Sequence, residues 1–200
     1  ALYEIQTALA DEFSQLQVAT LVGDVKHAAL VDEVLARERP SLVFHAAAYK
    51  HVPLMEDTNA WQAVRNNAYG TWVLANAALA AKVEKFVLVS TDKAVNPTSV
   101  MGASKRVAEM ISLGHNDCNV SQTKFMAVRF GNVVGSVGSV VPLFKKQIEE
   151  GGPITVTHPD VTRYFMTIRE AAQLILQAGA MGQGGEIFIP KIPSTRVTDL

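Results

Sequence analysis

Apolar and polar positions along the 200-residue chain follow two alternating periods. "ALYEIQTALADEF" places Leu2, Ile5, Leu9 and Phe13 at helical spacing. "VATLVGD" is a short apolar run closed by Gly23-Asp24, which reads as a strand entering a loop. "VKHAALVDEVLARER" reads as a helix stopped by Pro40, and "SLVFHAAA" as a buried strand. A long Ala-rich helix covers about 57–82, and "KFVLVSTD" is again a strand, followed by a loop with Asn96-Pro97. "SVMGASKRVAEMISLG" reads as a helix with Ser99 as its N-cap, and "KFMAVRFGNVVG" as a strand. The strands are continuous apolar runs rather than polar–apolar alternations. Such strands are buried on both faces, so the expected class is α/β, a doubly wound parallel sheet.

The texture changes after about residue 131, where Gly131, Gly135, Gly138, Gly151 and Gly152 break the chain into loops. Short elements follow: "VVPLFKKQIEE", "PITVT" and "MTIREAAQLILQAG". The expected organisation is a sheet domain over 1–130 and a smaller lobe over 131–200, interleaved with it and closing on the carboxyl edge of the sheet. Ligands of open α/β sheets bind at that edge. Dinucleotide folds of this kind open with a strand and a G-x-G-x-x-G turn, and no such turn occurs here. The first residues read as the helix after a second strand, and "STRVTDL" stops without a cap. The expectation is a fragment that lacks the first strand and the Gly-rich loop.

Composition narrows the classes. Hydrophobic residues make up 48% of the chain, enough for one core. A net charge of −1 with no basic run argues against nucleic-acid binding. The single cysteine, Cys118, excludes an internal disulfide. Residues 1–15 lack the basic start and apolar block of a signal peptide. The longest apolar run, "WVLANAALAA", reaches half of the ~20 residues of a membrane crossing, so the chain itself reads as soluble. No Cys/His cluster has metal-site spacing.

The chemistry-bearing stretches are Gly23-Asp24, "HAAAYKHVPLMED", Asn67-x-x-Gly-Thr71, "VSTDKAVNP", Met101-x-x-x-Lys105 and "RFGNVVGSVGSVVP". Together they resemble extended short-chain dehydrogenases acting on nucleotide sugars. Within these the chain is most similar to bacterial UDP-N-acetylglucosamine 4,6-dehydratases of polysaccharide biosynthesis. The resemblance runs from Leu2 to Leu200. A long, membrane-anchored subgroup of that family carries methionine where other members carry the tyrosine of the lysine motif, as Met101 does here. The resemblance implies a Rossmann-like fold, NADP (or NAD) as cofactor, UDP-N-acetylglucosamine as substrate and a homo-oligomer. It also implies an upstream anchor on the cytoplasmic side of the bacterial inner membrane. The implied reaction oxidises the sugar at C4, eliminates water across C5 and C6, and returns the hydride to C6.

The same resemblance assigns roles. Asp92 is the acid for the leaving C6 hydroxyl and Lys93 the base for the C5 proton, a base that must act uncharged. In isolation the pair reads as a turn aspartate beside a solvated lysine. Thr91 is the hydroxyl at the C4 oxygen, with Ser90 as the second choice. Lys105 holds the nicotinamide ribose. Met101 shares a helix face with Lys105 and cannot take a proton; its side chain reads as core. The C4 proton then leaves through Thr91, or a water, to Asp92 or Lys105.

Asp24 and Val25 are expected at the adenine, and Asn67 behind the nicotinamide. His45, Ala46, Ala47 and Ala48 form the strand end under the cofactor; the three alanines are equally read as tight helix–strand packing. Lys50 and His51 lie in the segment that lines the sugar site. Asn132 is expected at the sugar phosphate and Thr155 at the uracil. Arg163 is expected at the diphosphate, because a guanidinium fork matches phosphate oxygens; a solvated arginine is the alternative. Two other functions stay open. A 4-epimerase would leave the Asp92–Lys93 pair without a task. A non-catalytic cofactor-binding module would need none of Thr91, Asp92, Lys93 and Lys105.

Overall fold

The structure, a computed structural model, describes residues 2–117, 122–136, 140–156 and 158–199. Cys118, Gly138 and the last residue of "PITVT", Thr157, lie outside the described residues. The main sheet holds β1 (Leu42–His45), β2 (Lys85–Val89), β3 (Lys124–Val128) and β6 (Ile187–Phe188), all parallel and in that spatial order. Helices α2 (Ala28–Glu38), α4 (Gly70–Ala80), α5 (Val100–Gly114) and α7 (Ile168–Met181) cover it.

Alternation along the strands divides the core in two. Phe86 and Leu88 of β2 and Phe125 and Ala127 of β3 pack with Val31, Leu35, Val73 and Ala108 of α2, α4 and α5. Val87, Met126 and Val128 point to the other face and meet Ala178 of α7 with Leu174 and Ile175. Both faces are therefore buried, which is why these strands are apolar without interruption. The sheet is α/β and doubly wound, as the pattern predicts.

Four departures from the sequence reading have physical causes. Residues 18–24 form no strand: they have no ladder partner among the described residues, and Val22 is 89% exposed. An apolar run becomes a strand only by pairing. The helix expected over 57–82 starts as a tight turn at Asp57–Asn59 and runs through α3 (Ala60–Ala63). It then widens to a π turn at Val64–Tyr69 before α4. The run 124–135 divides into β3 and β4 (Asn132–Val133) at Gly131, where a Cβ would stand 2.5 Å from the carbonyl oxygen of Tyr164. "PITVT", expected as a short element, forms no helix or strand in its described residues. A small second sheet forms instead from β4, β5 (Thr162–Met166) and β7 (Ser194–Arg196).

Helix α1 (Leu2–Glu12) forms where expected but buries none of its residues, and α6 (Val140–Glu149) buries Phe144. Ser99 caps α5 by accepting from the amide of Gly102 at 3.1 Å. The rings of Phe86 and Phe125 stand 5.1 Å apart at the centre of the larger core. Phe125→Ala is expected to lower the unfolding free energy by about 3–5 kcal/mol, read by urea denaturation with an unchanged m-value.

Candidate active site

A cavity of about 460 Å³ opens at the carboxyl ends of β1, β2 and β3. This is where an open α/β sheet places its ligand. Each strand delivers its own part of the wall. Ala46, Ala48, Lys50 and His51 follow β1, Ser90, Thr91 and Lys93 follow β2, and Phe130, Gly131 and Asn132 follow β3. Met101 and Lys105 reach it from α5, and Ser136 and Phe165 close it from the second sheet's side.

Thr91, Asp92 and Lys93 form one hydrogen-bonded array. The Thr91 hydroxyl donates to Asp92 Oδ1 at 2.9 Å, and Lys93 Nζ donates to the same oxygen at 3.0 Å. Lys93 Nζ also donates to Asn132 Oδ1 at 3.3 Å, across 39 residues of sequence. The array sits in a short turn, Asp92–Ala94, capped by the Thr91 oxygen accepting from the Lys93 amide at 3.3 Å. Its backbone is tied to the chain beyond β3, because the Asp92 amide donates to the Phe130 carbonyl at 3.1 Å. Helix α5 presses on the turn: a Cβ on Gly102 would lie 2.3 Å from the Lys93 carbonyl oxygen.

Lys105 is 5% exposed and donates to the Val89 carbonyl at 2.7 Å. Burial lowers its pKa to about 8, although the Glu109 carboxylate works in the other direction. Met101, one helical turn earlier, is 3% exposed; it fills core space and lines the cavity with an apolar side chain. Ser90 is buried and donates its proton to Glu109 Oε1 at 2.6 Å. Of the two adjacent hydroxyls, only Thr91 faces Asp92.

Asn67 is a brace. Its Oδ1 accepts from the Tyr49 amide at 2.7 Å, and its Nδ2 donates to the Tyr49 carbonyl and to Ser104 Oγ, both at 3.0 Å. It thereby ties the chain after β1 to α5. The π turn buries Asn66 and Asn67 side by side, a local form often found at functional sites. His45 lies in the core between Thr71 and Phe86, outside the cavity wall. The Thr71 hydroxyl gives its one proton to the Asn67 carbonyl at 2.6 Å, so the 2.9 Å contact from His45 Nε2 is an N–H donation. Burial, then the Lys105 charge, lowers the pKa of His45 to about 3, so the ring stays neutral.

The remaining expected contacts stand apart from the cavity. Asp24 is exposed, and its hydrogen bonds from Lys26 hold its carboxyl below the usual range. Val25 packs beside Gly70, where a Cβ would meet its Cγ2 at 2.9 Å. Ala47 is not in the wall. Thr155 is held by Gln147, whose Nε2 donates to its hydroxyl at 2.9 Å. Arg163 is exposed and donates to its neighbour's carbonyl, that of Thr162, at 2.8 Å. Three contributors are given no role by the sequence reading: Gly102, Glu109 and Glu56, the last inside the "HAAAYKHVPLMED" stretch, whose carboxylate accepts from the Val100 amide at 3.0 Å and holds the chain after β1 on α5. Glu109 alone is visible in retrospect, as an acid on the buried stripe of α5 with Met101, Lys105 and Ala108.

The sequence profile of the polysaccharide biosynthesis protein family matches residues 1–200. The chain belongs to that family. Within it, the chain is 54% identical over 190 residues to the capsular polysaccharide biosynthesis protein CapD of Staphylococcus aureus, covering 94% of this chain and 31% of CapD. It is 37% identical over 199 residues to the UDP-N-acetylglucosamine 4,6-dehydratase (inverting) of Campylobacter jejuni, covering 95% of this chain and 59% of that enzyme. The X-ray structure of Pen from Bacillus thuringiensis superposes with a TM-score of 0.89 at 37% identity, over 98% of this chain and 61% of Pen. UDP-glucose 4-epimerases also stand among its relatives. The chain thus spans only 31% of CapD and 59% of the Campylobacter jejuni enzyme. The resemblance to the dehydratases of polysaccharide biosynthesis, read from the motifs, is borne out. Among the described residues of this family member, no helix is long and apolar enough to cross a membrane, and no group of three His, Cys, Asp or Glu could hold a metal.

The Lys105 environment yields a test. In the folded chain Lys105 loses its proton near pH 8, against 10.5 for an ordinary lysine. Between those values the unfolded state holds more protons, so this residue makes stability rise with pH. Relative to Lys105→Met, the native chain is expected to gain about 3 kcal/mol of unfolding free energy across that window, and none below it, in denaturation series run at stepped pH.

Proposed function

We propose that the full-length protein is a nucleotide-sugar 4,6-dehydratase that converts UDP-N-acetylglucosamine to the UDP-4-keto-6-deoxy sugar for surface polysaccharide synthesis. The observation that carries this reading is the Thr91–Asp92–Lys93 array, in which one carboxylate oxygen, itself just behind the cavity wall, accepts from the hydroxyl and the amine that line it. Hydride transfer at C4 alone has no use for that pair; elimination has.

The cofactor proposed is NADP+, with NAD+ as the alternative. The wall suits the nicotinamide end: Ala46 and Ala48 offer a surface without bulk, and the buried Lys105 amine has no carboxylate hydrogen-bonded to it. Asn67, through its brace, and Ser90, through its backbone, would shape this side, with Asp24 and Val25 towards the adenine. A bound nicotinamide would take the C4 hydride and return it at C6. Lys50, His51 and Asn132 would hold the sugar and its phosphate, and Arg163 and Thr155 the diphosphate and uracil.

The array gives a closed proton inventory. Thr91 passes the C4 hydroxyl proton to Asp92, along the contact already made at 2.9 Å. Neutral Asp92 no longer pairs with Lys93. Lys93, once released from that pair and relieved of its ammonium proton by solvent, removes the C5 proton that the C4 ketone has acidified. Asp92 delivers its proton to the departing C6 hydroxyl, and water leaves. Lys93 then returns its proton to C5. Asp92 ends as a carboxylate, and Lys93 takes its ammonium proton back from solvent as the ion pair with Asp92 re-forms. No tyrosine is needed, which accounts for an apolar Met101 in its place. The same resemblance supports a homo-oligomer anchored at the cytoplasmic face of the bacterial inner membrane.

The second reading, a 4-epimerase, is favoured by the epimerases among the relatives. Incubation of the full-length protein with UDP-N-acetylglucosamine and NADP+ separates the two. A product lighter by one water is expected; an unchanged mass with inverted C4 would establish the epimerase. Thr91→Val is expected to lower kcat by about 100-fold or more, the scale of a lost general acid–base path. Wild-type turnover in that variant would remove threonine from the relay.

A further inference from the structure

One charged side chain with no part in this chemistry lies directly beneath it. Glu109 of α5 is 0% exposed. Its carboxylate accepts from Ser90 Oγ at 2.6 Å, from Arg129 Nε and Nη2 at 2.8 and 2.6 Å, and from Arg106 Nη1 at 3.0 Å. Burial pushes this carboxyl up, but the hydrogen bonds from Arg129, Ser90 and Arg106 prevail and hold it below the usual carboxylate range. It is an anion throughout the working pH range.

A buried ion pair is a poor source of stability, because desolvation offsets most of its attraction and an apolar replacement is often as stable. What this one does is geometrical. Ser90 ends β2 and immediately precedes Thr91–Asp92–Lys93. Arg129 follows β3 and stands three residues before Asn132, the partner of Lys93. Glu109 itself lies one helical turn beyond Lys105. A single carboxylate thus joins the helix that carries Lys105 to both strand ends that carry the array. It also takes the Ser90 proton, which leaves Thr91 as the hydroxyl turned to Asp92.

We propose that Glu109 is the positioning residue of the reaction centre: its carboxylate fixes α5 against the ends of β2 and β3, and so sets Lys105, Thr91 and Lys93 at one cavity wall. The proposal rests on the reading of Thr91, Asp92 and Lys93 as that centre. Loss of the carboxylate shifts the array without touching substrate. A displacement of about 1 Å at reacting groups costs about 100-fold in rate.

The test uses the full-length enzyme and UDP-N-acetylglucosamine, with kcat and KM measured for Glu109→Gln, Ser90→Ala, their double variant and Arg129→Lys. Glu109→Gln is expected to lose about 100-fold in kcat with KM within about three-fold, the signature of an interaction felt in turnover rather than in substrate binding. The double variant is expected to be no slower than Glu109→Gln, since both changes break the same bond. A folded Glu109→Gln enzyme with wild-type kcat, or with a raised KM alone, overturns the proposal; so do fully additive effects in the double variant. Should Glu109→Gln fail to fold, Arg129→Lys decides: it keeps the charge but loses the fork, and a kcat loss at unchanged KM supports the role while wild-type kcat refutes it. If the wild type releases an epimer instead of a dehydrated sugar, the dehydratase reading fails alone, and the same kcat ratios still judge Glu109. A wild type inert toward sugar nucleotides overturns both.

Discussion

The carbonyl oxygen of Lys93 stands 2.3 Å from where a Cβ at position 102 would be. Only glycine lets helix α5 descend that far onto the turn after β2, and the arrangement of the site follows from this approach. With α5 seated, Lys105 one turn along reaches the Val89 carbonyl, and Met101 closes the core beside the cavity. Ser99 and Glu56 satisfy the amides of Gly102 and Val100 at the helix start, which fixes the chain after β1 against the same end. Farther along the helix, Glu109 secures the strand ends from below. The contact is short, and it is held from three sides.

Charge is distributed around this seat by burial. His45 remains neutral in the core, so it adds no second cation beside Lys105. Lys105 is buried, which loosens its hold on its proton against the pull of the Glu109 carboxylate. Asp92 and Lys93, by contrast, are partly exposed, with side chains 31% and 38% accessible, and share their hydrogen bonds with Thr91 and Asn132. Two lysine side chains therefore occupy different environments within one wall: a buried one on the helix and a partly exposed, hydrogen-bonded one on the turn.

The central sheet is legible in the sequence because β2 and β3 are covered on both faces, which forces unbroken apolar runs such as "KFVLV" and "KFMAV". Ser99 is legible because an N-cap is a local matter. Residues 18–24 show the limit: an apolar run records a capacity to be buried and says nothing of the partner, and here no strand lies beside it among the described residues. The π turn at 64–69 is invisible because it goes with burying Asn67 against Tyr49 and Ser104 and with bonding Asn66 to Lys26, contacts made across the fold. The Thr91–Asp92–Lys93 stretch stands out as a motif, and Asn132 joins it in space. Arg163 and Thr155 carry the right chemistry for a nucleotide, yet their elements place them outside the cavity wall. Glu109 has no motif of its own; its meaning appears only when Ser90 and Arg129 are brought to it.

The role proposed for Asp92 and Lys93 is the elimination of water after C4 oxidation, with the hydride moving from C4 to C6. The most direct measurement follows a deuterium label placed at C4 of UDP-N-acetylglucosamine through turnover by the full-length enzyme. A 4-keto product carrying the label at C6 is expected; a product that retains it at C4 would contradict that role.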